Sequence, residues 1–267
     1  MHALIVRNVH KREQPRLITL RRTIEAAGDT WEYWSTEYDK LASVDVVFAL
    51  TIDRFIWGTV LSWNKPTIYI DTGMFRDRSH IKVSFGNKLP TYLGRWNKPA
   101  DRRLRFNWHP APWREKGDHV LLTLSSHKVH RFMGIEQPEH YRDELTAELR
   151  KYTKREIRSR SKHLDVPISK DLKNCHCLVT HSSGACVDAL LRGVPSIVLG
   201  PAIARNISSS TVADIEQPRL ATLEERIQFL NDTGYYNWHV DELASGQVWQ
   251  FIKDELKDYG KFTTPYA

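Results

Sequence analysis

The stretch Leu178-Val-Thr-His-Ser-Ser-Gly-Ala-Cys-Val-Asp-Ala-Leu-Leu-Arg-Gly-Val-Pro-Ser-Ile-Val198 decides the fold. The run Cys175 to Thr180 is short, largely apolar and closed by a turn signal, so it predicts a buried strand. Thr180-His181-Ser182-Ser183-Gly184 predicts a tight turn, Gly184 to Arg192 a helix, and Pro195 to Leu199 a second strand. Gly193 stops the helix and Pro195 cannot continue it. Strand, turn, helix and strand in so short a span make a βαβ unit, which requires parallel strands.

The same rhythm extends in both directions. Upstream, His119 to Leu124, Glu139 to Tyr152, Arg155 to Ser159 and Ser169 to Asn174 read as strand, helix, strand and helix. Nearer the start, Ala3 to Val9 predicts a strand, and Pro15 to Ala27 a helix with Leu17, Leu20, Ile24 and Ala27 at helical spacing. Trp31 to Trp34, Val44 to Leu50 and Pro66 to Ile70 follow as strands, with a helix over Phe55 to Trp63. The rhythm fails from Gly73 to Gly117, apart from a candidate strand at His80 to Phe85, and His109-Pro-Ala-Pro-Trp113 resembles a linker. Beyond Thr222, Leu223 to Asn231 and Val240 to Leu256 are helical in pattern.

The fold class expected is therefore α/β, with two Rossmann-like parallel-sheet domains and a C-terminal helical tail. The boundaries expected are 1–115, 116–240 and a tail 241–267 that packs back on the N-terminal half. Two modest domains suit a chain of 267 residues.

Composition narrows the partners. The net charge is +7, which favours polyanions such as nucleic acid, diphosphates or an anionic membrane surface. Three cysteines, two of them in Cys175-His176-Cys177, are too few for a structural zinc site and are expected to be buried free thiols. Arg7, Lys11 and Arg12 interrupt the N-terminal apolar run, so neither a signal peptide nor a membrane span is expected, and the cytoplasm is the expected compartment.

In open α/β sheets ligands bind at the loops leaving the carboxyl ends of strands. His181, Ser182, Ser183 and Gly184 occupy such a loop, where small residues, hydroxyls and the amides opening a helix suit a diphosphate. A serine N-cap in a tight turn fits the same residues. Ser125-Ser126-His127-Lys128 follows the first strand of this half, and Arg158, Arg160 and Lys162 alternate along a basic stretch that is either an anion site or a solvated edge.

The segment from Leu178 to Val198 resembles the donor-site segment of GT-B glycosyltransferases, in which a strand, a Ser/Gly-rich turn, a helix bearing an acidic residue and Gly-x-Pro succeed one another. The resemblance implies that Ser182, Ser183 and Gly184 hold the donor diphosphate and that Asp188 meets the donor ribose, although the family's common glutamate is here one methylene shorter. It also implies donor contacts from Ser125, Ser126, Lys128, Arg158 and Lys162. The co-substrate implied is a nucleotide-sugar such as a UDP-sugar, with neither cofactor nor metal expected.

Transfer to a hydroxyl by inversion needs a proton acceptor. Asp71, at the end of the apolar run Pro66 to Ile70, is the leading candidate and Asp53 the second, while a turn aspartate is the plain alternative. The blocks Asp71-Thr-Gly-Met-Phe-Arg-Asp-Arg, Val83-Ser-Phe-Gly-Asn and Trp238-His-Val-Asp-Glu-Leu-Ala-Ser-Gly-Gln-Val-Trp-Gln-Phe are similar to segments of small phage-encoded glycosyltransferases. That family includes enzymes acting on hydroxymethylated pyrimidines in DNA, which makes double-stranded DNA carrying 5-hydroxymethylcytosine or 5-hydroxymethyluracil the implied acceptor.

Arg76, Arg78, Arg95, Arg102, Arg103, Arg105 and Trp108 are the expected DNA contacts, being basic residues among aromatics. A surface-glycan or lipid-linked-saccharide transferase, a non-catalytic DNA- or nucleotide-binding module, and a nucleotide-sugar epimerase remain as alternatives. The protein is expected to be a monomer without stable membrane insertion.

Overall fold

A computed structural model describes residues 1–7, 15–50, 54–73, 79–85, 97–161 and 166–259. The chain divides into two compact units, Met1–Lys98 with Asp232–Thr264, and Pro99–Asn231. Sequence reading put the change at 115/116. The run His109 to Trp113 is instead tied into the second unit: the Ala111 amide donates to the Leu191 carbonyl, and the Trp113 indole donates to the Ala221 carbonyl at 2.8 Å. Arg226 lies 3.9 Å over the Trp113 ring.

The first unit carries a six-stranded sheet. Its early elements are β1 (His2–Arg7), α1 (Pro15–Ala26), β2 (Thr30–Tyr33), β3 (Val46–Leu50), α2 (Arg54–Ser62), β4 (Thr67–Thr72) and β5 (His80–Phe85). Strands β2, β1, β3 and β4 are parallel neighbours in that order, while β5 pairs antiparallel with β4. Every residue of β3 is buried, as expected of a strand covered on both faces.

The second unit begins with α3 (Asp101–Arg105), a short helix that the sequence pattern hid. It continues with β6 (His119–Thr123), α4 (His127–Phe132), α5 (Pro138–Leu149), β7 (Glu156–Arg160), α6 (Ile168–Asp171), β8 (Cys175–Thr180), α7 (Ala185–Leu191) and β9 (Ser196–Val198). Its sheet is wholly parallel in the order β7-β6-β8-β9. Val120, Leu122, Cys177, Val179 and Ile197 from the sheet pack with Leu145 and Leu149 of α5 and with Ile215. Cys175, Cys177 and Cys186 are buried free thiols, and burial raises the Cys175 thiol to about 11 and that of Cys186 to about 12.

Helix α8 (Leu223–Tyr235) leads out of the second unit, and the tail then returns to the first through β10 (Asn237–His239), α9 (Val240–Ala244) and α10 (Gln247–Leu256). The single helix expected over 240–256 is broken because Gly246 takes a left-handed φ of 85°. Strand β10 adds antiparallel to β5. The tail packs on the first unit: the Thr23 hydroxyl donates to the Leu243 carbonyl, and Phe251 lies against Trp238, Phe85 and Tyr236.

Asp29 fastens α10, accepting from the Met1 amino group at 2.5 Å, the Trp249 indole at 2.7 Å and Lys253 at 3.1 Å. Burial works to raise this carboxyl, but the donors prevail and lower it from 3.8 to about 2. A depressed carboxylate stabilises the fold above its unfolded value and loses that contribution as pH falls through the folded one. Asp29→Asn should therefore flatten the acid limb of a stability–pH curve between pH 3.8 and 2, read by circular dichroism.

Gly193 combines a φ of 66° with the Pro112 carbonyl oxygen 1.9 Å from where a Cβ would stand. Gly193→Ala should cost about 2–4 kcal/mol in urea unfolding, as strain and a backbone clash combine. Gly28→Ala, at φ 73° with open space around it, should cost only about 1–2 kcal/mol.

Candidate functional site

A parallel sheet releases its loops at one edge, and a crevice opens where neighbouring strands send their connections in opposite directions. The order β7-β6-β8-β9 places that point between β6 and β8. The loop Leu124-Ser125-Ser126 leaves β6 there, and His181-Ser182-Ser183-Gly184 leaves β8. Ser125 Oγ and Ser182 Oγ stand 3.1 Å apart, so the two loops meet.

The other hydroxyls hold these loops in shape. The buried Thr180 donates from Oγ1 to the Thr123 carbonyl at 2.9 Å, and the same oxygen accepts the Ser183 amide at 3.0 Å. Ser183 Oγ accepts the Ala185 amide at 3.2 Å, and Ser126 Oγ caps α4 by accepting from Val129. All four serines are half-buried; Ser125 and Ser182 bond each other, Ser126 caps α4, and Ser183 holds the Ala185 amide. Gly184 has an ordinary helical φ of −64° and nothing within 4 Å of a Cβ position, so the space in front of the turn is open.

Charged candidates are distributed around this edge. Asp188 is half-buried on α7 and accepts from Arg192 at 3.4 Å. Arg158 is exposed in the middle of β7 and donates to Glu156 at 2.7 Å, on the same strand face. Arg160 turns inward and bonds Asp171 and the Val166 carbonyl. Lys162 and the Lys128 side chain lie outside the described residues.

One cation at this edge escaped sequence reading: Arg205, which opens a short 3-10 turn (Arg205–Ile207) after β9, donates to the Val198 and Gly200 carbonyls at 3.1 and 3.3 Å. No strand or helix period marks it. His181 is pushed down by burial, then by His130 and by Arg205, so its ring is neutral near pH 7.

In the first unit, Asp71 is the last residue but one of β4 and accepts the Thr72 amide at 2.7 Å. Register decides its neighbours, because partners across an antiparallel pair point to one face. Asp71 faces Lys82, Lys82 faces Asn237, and His80 faces His239 with ring centroids 5.0 Å apart. Tyr69, on the same face of β4, is pushed up by burial and by the charge of Asp71. Sequence reading found Asp71 alone, since β10 comes from the far end of the chain. Asp53 lies outside the described residues.

The basic aromatic segment folds inward. Arg102 is buried beside the Phe106 ring. Arg103 is buried, donating to Asn231 Oδ1 at 2.7 Å and to the Trp108 carbonyl at 2.8 Å, and Trp108 itself is 7% exposed. A guanidinium already bonded inside a core is not presented to a phosphate backbone, which corrects the expectation that these three residues form a DNA-facing surface. Arg105 is exposed, whereas Arg76, Arg78 and Arg95 lie outside the described residues.

Two units with parallel strands in the order 2-1-3-4, one carrying a serine-lined crevice and the other extended by a returning tail, define a GT-B-like α/β fold. Solved structures that share it include two KpsC proteins. One is described as Thermosulfurimonas dismutans KpsC, beta Kdo 2,4 transferase; it aligns at a TM-score of 0.52 and 14% identity, covering 95% of this chain and 98% of that one. The second, Thermosulfurimonas dismutans KpsC, beta Kdo 2,7 transferase, aligns at 0.52 and 10% identity, covering 94% and 99%. At such identities the likeness is one of fold. No protein-family model matches the sequence, and no curated protein matches it significantly. Among the described residues, no helix is long and apolar enough to cross a membrane.

Gly184 separates folding from binding. Gly184→Ala should leave the thermal midpoint unchanged or slightly raised, since alanine suits this φ and typically adds about 0.4–1 kcal/mol. The same methyl group would occupy the approach to the turn and weaken binding of UDP, GDP, ADP or CMP by calorimetry. Unchanged affinity for whichever nucleotide binds would remove Gly184 from the site.

Proposed function

We propose that this protein is a glycosyltransferase that takes its sugar from a nucleotide-sugar bound at the β6–β8 crevice. The observation that carries this reading is the meeting of Ser125 and Ser182 at the sheet's switch point, 3.1 Å apart in front of an open turn. Two hydroxyls there can donate to phosphate oxygens, and hydrogen bonds to a charged acceptor are among the stronger ones. Arg205, with Lys128, Arg158 and Lys162 as further candidates, would offset the charge gathering on the leaving phosphate, while Asp188 would accept from the ribose. In transfer with inversion, the acceptor oxygen bonds the anomeric carbon, the carbon–oxygen bond to phosphate breaks, and the nucleotide leaves with the electron pair. Asp71, opposite Lys82 in the strand register, would receive the acceptor's proton.

For the acceptor, a saccharide of a surface glycan or a lipid-linked chain fits better than DNA. The net charge of +7 favours a polyanion, but Arg102, Arg103 and Trp108 are buried and leave the DNA reading with fewer exposed contacts. The KpsC proteins of the same fold bear the description of Kdo transferases, which lends the saccharide reading some weight.

The test is to incubate the protein with a panel of nucleotide-sugars, including Kdo-bearing ones, against oligosaccharides, lipid-linked saccharides and hydroxymethylcytosine or hydroxymethyluracil DNA. Products are identified by mass. Transfer to a saccharide is expected, and a mass gain confined to DNA would reverse the choice of acceptor. If no donor is consumed with any acceptor, the transferase reading is lost. Ser182→Ala should lower kcat/KM by roughly 10–100-fold, the value of a hydrogen bond to a charged group at about 1.5–3 kcal/mol.

A further inference from the structure

Beneath the serine turn lies a stack of three rings from three elements. His130 of α4 is wholly buried and meets Tyr141 of α5 edge-on at 6.1 Å between centroids. Tyr141 in turn meets His181, in the turn after β8, at 5.8 Å with planes at 87°. The far side of His181 rests against Gly200, where a Cβ would stand 2.3 Å from its Cε1. The Gly200 amide also donates to the His181 carbonyl at 2.9 Å. The ring is therefore clamped between Tyr141 and a residue that has to be glycine.

We infer that His130 and Tyr141 are positioning residues for the serine turn: through His181 their stacked rings set where Ser182 stands against Ser125. Both serine loops are engaged by the stack. Helix α4 starts from the Ser125-Ser126 loop, with the His130 amide donating to the Ser126 carbonyl at 3.0 Å, while His181 immediately precedes Ser182. The hydroxyl bridge at the crevice and the ring stack below it join the same two loops.

The stack requires neutral imidazoles. Both ring nitrogens of His130 and the Nδ1 of His181 are buried with no hydrogen-bond partner among the described residues, so nothing there solvates a positive ring. Burial pushes His130 down, His127 on its own helix adds to this, and Glu139 of α5 opposes it. His181 is faced by His130, Arg205 and Tyr141, and of these His130 and Arg205 push it further down. With folded values below the unfolded one, neutral rings prevail at pH 7, and proton uptake below the ordinary histidine value of 6.5 opposes the stacked state.

The inference relies on the donor reading only for its catalytic consequence, and its test is made on the ligand-free full chain. Amide hydrogen exchange, normalised to intrinsic rates, is followed at Ser182 to Ala185 and at the core amides of Val120 and Val179. Tyr141→Ala should speed exchange in the turn at least tenfold and leave the core amides unchanged, with Tyr141→Phe restoring protection.

In the wild type, turn protection should fall between pH 6.5 and 5, and His130→Phe, which leaves only His181 to take up a proton in the stack, should lessen that fall. Protection of the turn that is indifferent to Tyr141→Ala, or that declines only together with the core, would overturn the inference. So would an unaltered pH response in His130→Phe. A protein that binds no nucleotide yet shows these responses keeps the positioning stack and loses the donor reading.

Discussion

The parallel pairing of β6 with β8 is the constraint on which the second unit depends. Parallel neighbours cannot be joined by a hairpin, so the chain crosses over with α4 and α5 to β7, and again with α6 to β8. Because β7 and β9 fall on opposite flanks, the loops leaving β6 and β8 diverge and open a crevice between them. Thr180 ties the two strand ends together through the Thr123 carbonyl, and its hydroxyl also orients the turn by accepting from Ser183. One buried threonine thus links sheet register to the geometry of the crevice.

The first unit repeats the 2-1-3-4 order and then departs from it. Adding β5 and β10 antiparallel changes which residues share a face, and this brings Lys82, His80, Asn237 and His239 beside Asp71. Such a polar row can only be assembled after the tail has returned. Its return is secured by apolar contacts around Phe251 and by the charge of Asp29, which couples α10 to the start of the fold.

Charge is distributed unlike its distribution along the chain. Arg102, Arg103 and Arg226 are consecutive in no functional sense; each is drawn into packing by an aromatic ring or a carbonyl. Guanidinium groups lend themselves to this because they stack on rings and donate in a plane. A basic stretch interleaved with aromatics is therefore as well suited to a folded core as to a nucleic-acid surface. Burial distinguishes the two.

The sequence by itself determined the βαβ rhythm, most strand and helix positions, the buried thiols and the serine turn after β8. These follow from local apolar periods and from glycine and proline, which act over a few residues. The clustering of Ser125 with Ser182, the His130–Tyr141–His181 stack, the placement of Arg205 and the neighbours of Asp71 were decided only by tertiary structure. They depend on strand order, on antiparallel register with a segment from the far end of the chain, and on burial, none of which leaves a periodic trace in the residues concerned. The same reason explains the inward arginines: whether a cation meets solvent or a ring is settled by what the folded chain brings against it.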